Sequence, residues 1–306
     1  MSSRPWTGKR ALSIANLKGG VGKSTTTMMV ADALSLNWSV RVLVVDLDAQ
    51  ANASQMLLSF KGLQIARTSG VTLTDWVDSL VEGSDSKFYT YVKSGISGLT
   101  ELSPQNMSQH GKSGSLSIVP STPELRFSEL AFDHRNYSRQ DSAASTLVMT
   151  SHLRSAIESL AQSVDLVIFD CPPGFTTLTQ AALNISDAII SPTLEEPIGA
   201  WSLKAFRDFG LRDTLGVWNP ERHRVLFTRV SQKGAIEERR EVRTSVGKAG
   251  FVPLSVSIKD SSQAHRWVQR PAPDSRRRFG SKYGNLRGSV KELGDEVVRF
   301  LAHIPE

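Results

Sequence analysis

The chain has 306 residues, of which 40% are hydrophobic and 22% charged, a composition typical of a folded globular protein and unlike disordered or collagen-like chains. No apolar run approaches the roughly 18 residues that cross a bilayer and the N-terminus lacks a secretory signal, so we expect a cytoplasmic protein without stable membrane association. A single cysteine, Cys171, excludes an internal disulfide framework or a cysteine-ligated iron–sulfur site, and the net charge of +6 favours an anionic partner.

Strand-length apolar runs alternate along the chain with helix-length segments. The predicted strands, nearly continuous in apolar residues, are ALSIANL, VRVLVVD, LSIVP, VDLVIFD, DAIISP, RVLFTRV and FVPLSVSI. The predicted helices are STTTMMVADALSL, STLVMTSHLRSAIESLAQ, TLTQAALNI, AWSLKAFRDFG, AIEERREVRTSVGKAG and SVKELGDEVVRFLA. This alternation indicates the α/β class, with a mostly parallel twisted sheet that carries helices on both faces, and we predict a single domain over residues 1–306.

Two segments interrupt the alternation, and a third is distinguished by its charge. Residues 82–115 are rich in Ser and Gly, which predicts an irregular insertion, and the polar residues 132–145 predict a surface loop. Residues 258–291 carry nine Lys or Arg against two Asp, a net charge of +7 that exceeds the excess of the whole chain. This basic segment is the predicted site for an anionic partner.

A glycine-rich turn, GGVGKST, follows the first predicted strand and opens the first predicted helix. Glycines let the backbone aim its N–H groups inward, and the helix N-terminus adds its positive dipole, so this context predicts a phosphate-binding loop. We expect Lys23 to bind the β- and γ-phosphates and the Ser24 hydroxyl to ligate Mg²⁺. The predicted nucleotide-binding residues of the loop are Gly19, Gly20, Val21, Gly22, Lys23, Ser24 and Thr25.

A magnesium–nucleotide site also needs a carboxylate at the end of a buried strand. Asp170 ends one predicted strand, before a turn imposed by two prolines, and Asp46 and Asp48 end another. Because side chains two residues apart point the same way along a strand, either Asp46 or Asp48 could face the phosphates.

As a set and in this order, the motifs resemble those of the ParA/MinD family of P-loop ATPases. KGGVGKST is similar to the family's deviant Walker A motif, VDLVIFDCPPG to its Walker B motif, and VLVVDLDAQAN to the motif between them, with Ala49 where proline is usual. LSIVPSTPEL and DAIISPTLEEPIGAWSLKAF also resemble ParA segments, so the resemblance covers roughly residues 10–230. It implies a P-loop NTPase with ATP and Mg²⁺ as cofactors.

The resemblance also implies roles for individual residues. Lys18 corresponds to the signature lysine, which reaches across an ATP-bound sandwich dimer to the nucleotide of the partner subunit, much as an arginine finger does. Asp48 is implied to orient or activate the attacking water, and Asp46 and Asp170 to hold Mg²⁺ through water. The implied catalytic residues are Lys18, Lys23 and Asp48. The adenine pocket stays unassigned, because LFTRV at residues 226–230 lacks the asparagine often found there.

Two interpretations of the basic segment remain open. It binds nonspecific DNA through phosphate contacts, or it is a solvated basic face with Trp267 packed in the core. The residues expected to contact DNA are Arg276, Arg277, Arg278 and Lys282. The last predicted helix and the residues after it contain four acidic residues, which suits packing on the core better than binding an anionic membrane.

The resemblance implies a ParA-like ATPase for DNA segregation, of a plasmid or a chromosome. ATP would drive a homodimer onto nonspecific DNA at the nucleoid, and a ParB-like centromere-binding protein would stimulate hydrolysis and release it. Two alternatives stay open: a ParA-like positioning ATPase for another cargo, such as a carboxysome or a chemoreceptor cluster, and a nucleotide-gated regulator or scaffold without significant hydrolysis.

Overall fold

The computed structural model describes residues 5–84, 86–94, 115–137, 143–160, 163–231, 236–261 and 282–305. Its strands are β1 (Arg10–Ile14), β2 (Arg41–Asp46), β3 (Ser115–Val119), β4 (Leu166–Asp170), β5 (Ala188–Thr193), β6 (His223–Phe227) and β7 (Val252–Pro253). They form one parallel sheet in the order β3-β2-β4-β1-β5-β6-β7. The predicted α/β class and parallel sheet are confirmed, and each predicted strand overlaps an observed one.

Helices cover both faces of this sheet. They are α1 (Lys23–Asn37), α2 (Asn52–Thr68), α3 (Leu73–Glu82), α4 (Leu125–Asn136), α5 (Ala144–Ser159), α6 (Thr177–Ile185), α7 (Pro197–Ala205), α8 (Ile236–Lys248) and α9 (Arg287–His303). A π-helical stretch, Phe206–Thr214, continues α7. None of the helices in the described ranges is long and apolar enough to cross a membrane.

Two core layers lie on opposite faces of the sheet because alternate strand residues point to opposite sides. Leu12 and Ile14 of β1 pack in the layer that holds α1 and α9, whereas Ala11 packs in the layer that holds α3 to α6. Helix α9, near the end of the chain, therefore packs directly on α1, next to the glycine-rich turn. The single-domain prediction for residues 1–306 stays a prediction.

The prediction of a surface loop over residues 132–145 is wrong for its first and last parts, since residues 144 and 145 begin α5, and residues 138–142 lie outside the described residues. Residues 132–136 form the last turn of α4, and Phe132 is buried in the core. The inward face of α4 also carries Ser128 and Glu129, so its apolar periodicity is weak in the sequence although the helix is well packed. Of the predicted insertion, residues 95–114 lie outside the described residues, while Phe88 and Tyr91 in a short 3₁₀ helix are buried.

The strand order brings the carboxyl ends of β1, β2 and β4 together at one edge of the sheet. Asp46 and Asp170 are direct register partners across the β2–β4 pair. Strand β1 lies between β4 and β5, and the glycine-rich turn begins where β1 ends. Ligands of open α/β sheets bind at this edge, so the fold places the motif residues where a nucleotide site is expected.

Candidate nucleotide-binding site

The turn between β1 and α1 has the geometry of a phosphate-binding loop. Gly20 and Gly22 adopt φ angles of 73° and 86°, left-handed conformations that residues with a Cβ adopt at a cost. Helix α1 begins at Lys23 without a side-chain cap. Its first N–H groups therefore lack a capping side chain and suit an anion.

A cavity of about 420 Å³ opens around this loop. Seven of the predicted site residues line it: Gly19, Gly20, Gly22, Lys23, Ser24, Thr25 and Asp48. Val21 is buried, and its carbonyl oxygen accepts a 2.7 Å hydrogen bond from the Thr228 hydroxyl, which ties the loop to the end of β6. The local motifs thus fold into one pocket.

Lys23 is buried at the base of the loop. Its Nζ donates a 2.9 Å hydrogen bond to the Lys18 carbonyl oxygen. Burial lowers the pKa of Lys23, and the nearby charges of Asp170 and Asp48 oppose this shift. A cation held among carboxylates and helix-terminal N–H groups is suited to bind polyphosphate.

Asp170 fits the predicted magnesium role. It is fully buried, its Oδ1 accepts a 2.8 Å hydrogen bond from Thr27, and its Oδ2 is buried without a hydrogen-bond partner among the described residues. Burial raises the pKa of Asp170 to about 6, and the nearby hydroxyls of Ser24 and Thr27 oppose the rise. An unpartnered carboxylate oxygen beside the Ser24 hydroxyl is a donor set for Mg²⁺ and its water ligands.

Asp46 is already engaged by protein groups. Its Oδ2 accepts hydrogen bonds from the Ser54 N–H and hydroxyl, at 2.9 and 2.6 Å, and its Oδ1 accepts from the Asp48 N–H at 3.1 Å. Burial, followed by the charge of Asp170, raises the pKa of Asp46 well above its usual range. This geometry makes Asp46 a support for the turn that carries Asp48, and its magnesium role stays a prediction.

Asp48 lies on the turn between β2 and α2 and faces the cavity. The Gln50 N–H donates to its Oδ1 at 2.9 Å, and the Ala51 N–H donates to its carbonyl oxygen at 2.8 Å. Ala51 itself has a left-handed φ of 52°. The turn therefore fixes the Asp48 carboxylate at the same cavity as the phosphate-binding loop, and its water-orienting role stays a prediction.

The far wall of the cavity was not identified from the sequence. Thr228 and Arg229 follow β6, and residues 258–261 follow β7; both segments face the loop. Arg229 has a left-handed φ of 52°, and its guanidinium lies 3.8 Å from the Asp260 carboxylate. The signal in the sequence was the position of both segments after two neighbouring parallel strands.

Lys18 does not line the cavity, although it belongs to the same loop. Its Nζ contacts Glu196 Oε1 at 2.5 Å, just before α7. The backbone N–H of Lys18 donates to Asn16 Oδ1 at 3.2 Å. The Lys18 side chain is therefore held by Glu196 outside the cavity lining, and its role towards a second copy stays a prediction.

The basic segment is only partly described. Arg276, Arg277, Arg278, Trp267 and Phe279 lie outside the described residues. Lys282 is described, and it is buried: its Nζ pairs with Asp32 of α1, which also accepts from the Tyr283 hydroxyl. The expected DNA contact of Lys282 is therefore corrected to an internal ion pair, because its side chain neutralises a buried carboxylate.

The described residues contain no cluster of three or more His, Cys, Asp or Glu side chains that could enclose a metal ion. A phosphate-binding loop at the edge of a parallel sheet, with Ser24 and Asp48 lining one cavity, instead defines a P-loop nucleotide site. The predicted P-loop fold is thus confirmed.

Comparison with known proteins gives the family. The AAA_31 family, described as an AAA domain, matches residues 9–208, and the chain belongs to it. The resemblance to ParA/MinD P-loop ATPases is confirmed by relatives of that type. Soj of Bacillus subtilis, a sporulation initiation inhibitor protein, is 28% identical over 60% of this chain and 57% of its own length. The chromosome partitioning protein ParA of Caulobacter vibrioides is 27% identical over 85% of each chain.

A solved structure shows the same fold. A variant of McdA from Cyanothece, in complex with ATP, matches with a TM-score of 0.68 and 17% identity, over 98% of this chain and 99% of its own. The chain spans between 51% and 57% of the length of several curated relatives that it matches.

Proposed function

We propose that this chain is a ParA-like ATPase in DNA segregation. It binds ATP with Mg²⁺, forms a homodimer that holds nonspecific DNA, and leaves DNA after hydrolysis. The observation that carries the proposal is that the two lysines of the loop lie in different places. Lys23 lies inside the cavity with Asp48, whereas Lys18 is paired with Glu196 and does not line the cavity. Such a site binds nucleotide alone and is completed by a second copy.

The residues divide the chemistry between them. Lys23 and the N–H groups at the start of α1 hold the β- and γ-phosphates. Asp48 orients a water molecule for attack, and Thr228 with Arg229 bounds the base end of the pocket. Ser24 and Asp170 would hold Mg²⁺, which supplies charge neutralisation at the phosphates. Hydrolysis by the chain alone is slow, because Lys18 must come from a partner subunit to stabilise the developing charge.

The surface beside Lys18 supports a dimer. Ile198 and Trp201 are 50% and 69% exposed and stand three residues apart on α7, hence on one side of the helix. They follow directly after Glu196, the partner of Lys18. Exposed aromatic and aliphatic side chains next to a group that needs a partner subunit form a fitting dimer face.

The DNA proposal is supported by charge. Residues 258–291 carry a net charge of +7, and Arg276, Arg277 and Arg278 form its densest run. Two such segments in one dimer multiply a weak affinity. A ParB-like centromere-binding protein is the proposed activator, by analogy with partition relatives such as ParA of Caulobacter vibrioides. The second candidate, a positioning ATPase for another cargo, uses the same chemistry; likeness to McdA favours keeping it.

The test is DNA retention with ADP, ATP and a nonhydrolysable ATP analogue across a salt series, for the parent and for Lys18→Ala. We expect ATP-dependent, salt-sensitive binding that Lys18→Ala abolishes while ATP binding persists. DNA retention that ignores both nucleotide and salt would contradict the switch. Hydrolysis without DNA binding in any nucleotide state would leave the ATPase and move the search for the anchor to a protein or membrane surface.

A further inference from the structure

The ion pair between Lys18 and Glu196 points to a control of dimer formation. We propose that Glu196 is an internal counter-ion, which holds Lys18 in the nucleotide-free monomer and is exchanged for the phosphates of a second copy when the ATP dimer forms. This inference rests on the proposed function, because it assigns the state from which Lys18 must be released.

The geometry of the pair favours a releasable contact. Lys18 Nζ and Glu196 Oε1 lie 2.5 Å apart, and the two side chains are 26% and 42% exposed. Both groups are thus within reach of a second molecule. A fully buried pair would resist exchange, because separating it leaves an uncompensated buried charge, whereas a partly exposed pair separates at modest cost.

The backbone on both sides of the pair is fixed. The Asn16 Nδ2 donates to the Pro192 carbonyl oxygen at 2.8 Å, and its Oδ1 accepts from Ser202 Oγ at 3.0 Å. The same Oδ1 accepts from the Lys18 N–H. Asn16 therefore ties the start of the glycine-rich loop to β5 and α7, on either side of Glu196. The pair is set by the fold, so only the two side-chain ends need to move.

The preceding carboxylate has a different task. Glu195 forms an ion pair with Arg243 of α8, and its side chain is buried. Glu196 directly precedes Pro197, the first residue of α7. At Gly199, an added Cβ would lie 2.6 Å from the Leu194 carbonyl oxygen, so the backbone is tightly packed at this turn. Glu195 therefore cannot take the place of Glu196 beside Lys18. Within the described residues, Lys18 forms its ion pair with Glu196 alone.

The exchange sets a threshold for dimerisation. The Glu196 carboxylate competes for Lys18 with a polyphosphate of higher charge. Lys18 therefore leaves Glu196 when the facing subunit holds ATP and stays paired when the facing site is empty. A symmetric dimer releases two such pairs. If each exposed pair favours the monomer by about threefold, its removal strengthens the ATP dimer by about tenfold.

The experiment compares Glu196→Gln with Glu237→Gln, which removes the same charge from an exposed position on α8. The first readout is the rate of Lys18 acylation by an amine-reactive ester in the nucleotide-free chain, followed by mass spectrometry. We expect acylation of Lys18 to be about threefold faster in Glu196→Gln, because the ion pair shields the amine from the reagent. The second readout is the dimer dissociation constant with a nonhydrolysable ATP analogue, measured by sedimentation. It should fall about tenfold in Glu196→Gln and stay unchanged in Glu237→Gln.

The failures are distinguishable. Unchanged acylation of Lys18 would overturn the counter-ion whatever the dimer does. A weaker dimer in Glu196→Gln would make Glu196 an interface contact and overturn the exchange, while the dimer switch itself would stand. A parent that stays monomeric with every nucleotide would overturn the proposed function and the exchange together.

Discussion

At the scale of single residues, a substitution at Asp48 distinguishes an ATPase from a nucleotide-gated regulator. Its carboxylate faces the cavity and accepts from the Gln50 N–H. The substitution Asp48→Asn keeps an acceptor for that N–H and removes the charge that orients water. We expect single-turnover ATP hydrolysis to fall about 100-fold or more, with nucleotide affinity changed by less than about threefold. Asp78→Asn, away from the cavity lining, is the control. Equal hydrolysis in Asp48→Asn would remove its catalytic role and favour the regulator.

His223 gives a pH-dependent prediction that does not involve the nucleotide site. Its ring is buried among Phe206, Trp218 and Phe251, and its Nε2 lies 2.7 Å from the Ser191 hydroxyl. Burial, helped by the charge of Arg224, lowers the pKa of His223 from 6.5 to about 3. The unfolded chain therefore binds a proton between these values and the folded chain does not, so stability is lost as pH falls from about 6.5 towards about 3.

At pH 5 the loss from this one group is about 2 kcal/mol relative to pH 7.5. Urea unfolding of the parent and of His223→Gln at both pH values measures it, because Gln keeps a polar partner for Ser191 and does not titrate. We expect the variant's stability to fall less between the two values. The exposed His303→Gln should behave like the parent; a variant with the parent's pH dependence would refute the assignment.

At the scale of elements, the strands could be predicted and several helices could not. Strands buried on both faces are nearly continuous in apolar residues, a local signal. Helix α4 has the polar residues Ser128 and Glu129 on its inward face, where Glu129 accepts a hydrogen bond from Leu178, and its apolar periodicity is weak for that reason. The phosphate-binding loop was predictable because one short motif encodes it. The far wall was not, since Thr228 meets Val21 from 207 residues away.

The same inward face of α4 positions α6, which follows the turn after Asp170. Glu129 Oε1 accepts from the Leu178 N–H at 3.0 Å, and Asp133 Oδ1 accepts from the Thr177 hydroxyl at 2.7 Å. Burial raises the pKa of Glu129. Glu129→Ala leaves a buried N–H unpartnered and should lower the free energy of unfolding by about 1–3 kcal/mol.

Glu129→Gln keeps an acceptor for the Leu178 N–H, so chemical denaturation should give it a stability much closer to the parent's. Equal losses in the Ala and Gln variants would show that the charge matters and the acceptor does not.

At the scale of the whole molecule, large apolar side chains are exposed on several helices among the described residues, and the position of Lys18 favours α7 as the dimer face. Trp201 on α7 is 69% exposed beside the Lys18–Glu196 pair, while Phe127 on α4 is 72% exposed elsewhere. We expect Trp201→Ala to weaken the ATP-analogue dimer about 30-fold or more, as for an interface residue that contributes at least 2 kcal/mol. Phe127→Ala is the matched control in the same sedimentation experiment. The opposite ranking would place the interface on α4.

The basic segment, residues 258–291, combines two different roles. Its last described part is anchored to α1 through Lys282, and its arginine run is the proposed DNA contact. Lys282 neutralises Asp32 beneath the glycine-rich loop, so its removal affects folding. Arg276, Arg277 and Arg278 carry the proposed phosphate contacts. Each phosphate contact adds about 0.9 to the steepness with which DNA affinity falls with salt. Replacing all three arginines by serine should therefore flatten the log–log slope by about 2 to 3, with ATP binding intact.

Lys282→Gln is the contrasting variant for that slope. It should lower the unfolding midpoint, because it leaves the buried Asp32 carboxylate uncompensated, and should leave the salt slope of the folded protein unchanged. A flattened slope in Lys282→Gln, with none in the triple arginine variant, would mean that Lys282 leaves Asp32 to bind DNA. The arginine run would then be a solvated face, and the anion site would lie against α1, within reach of the nucleotide.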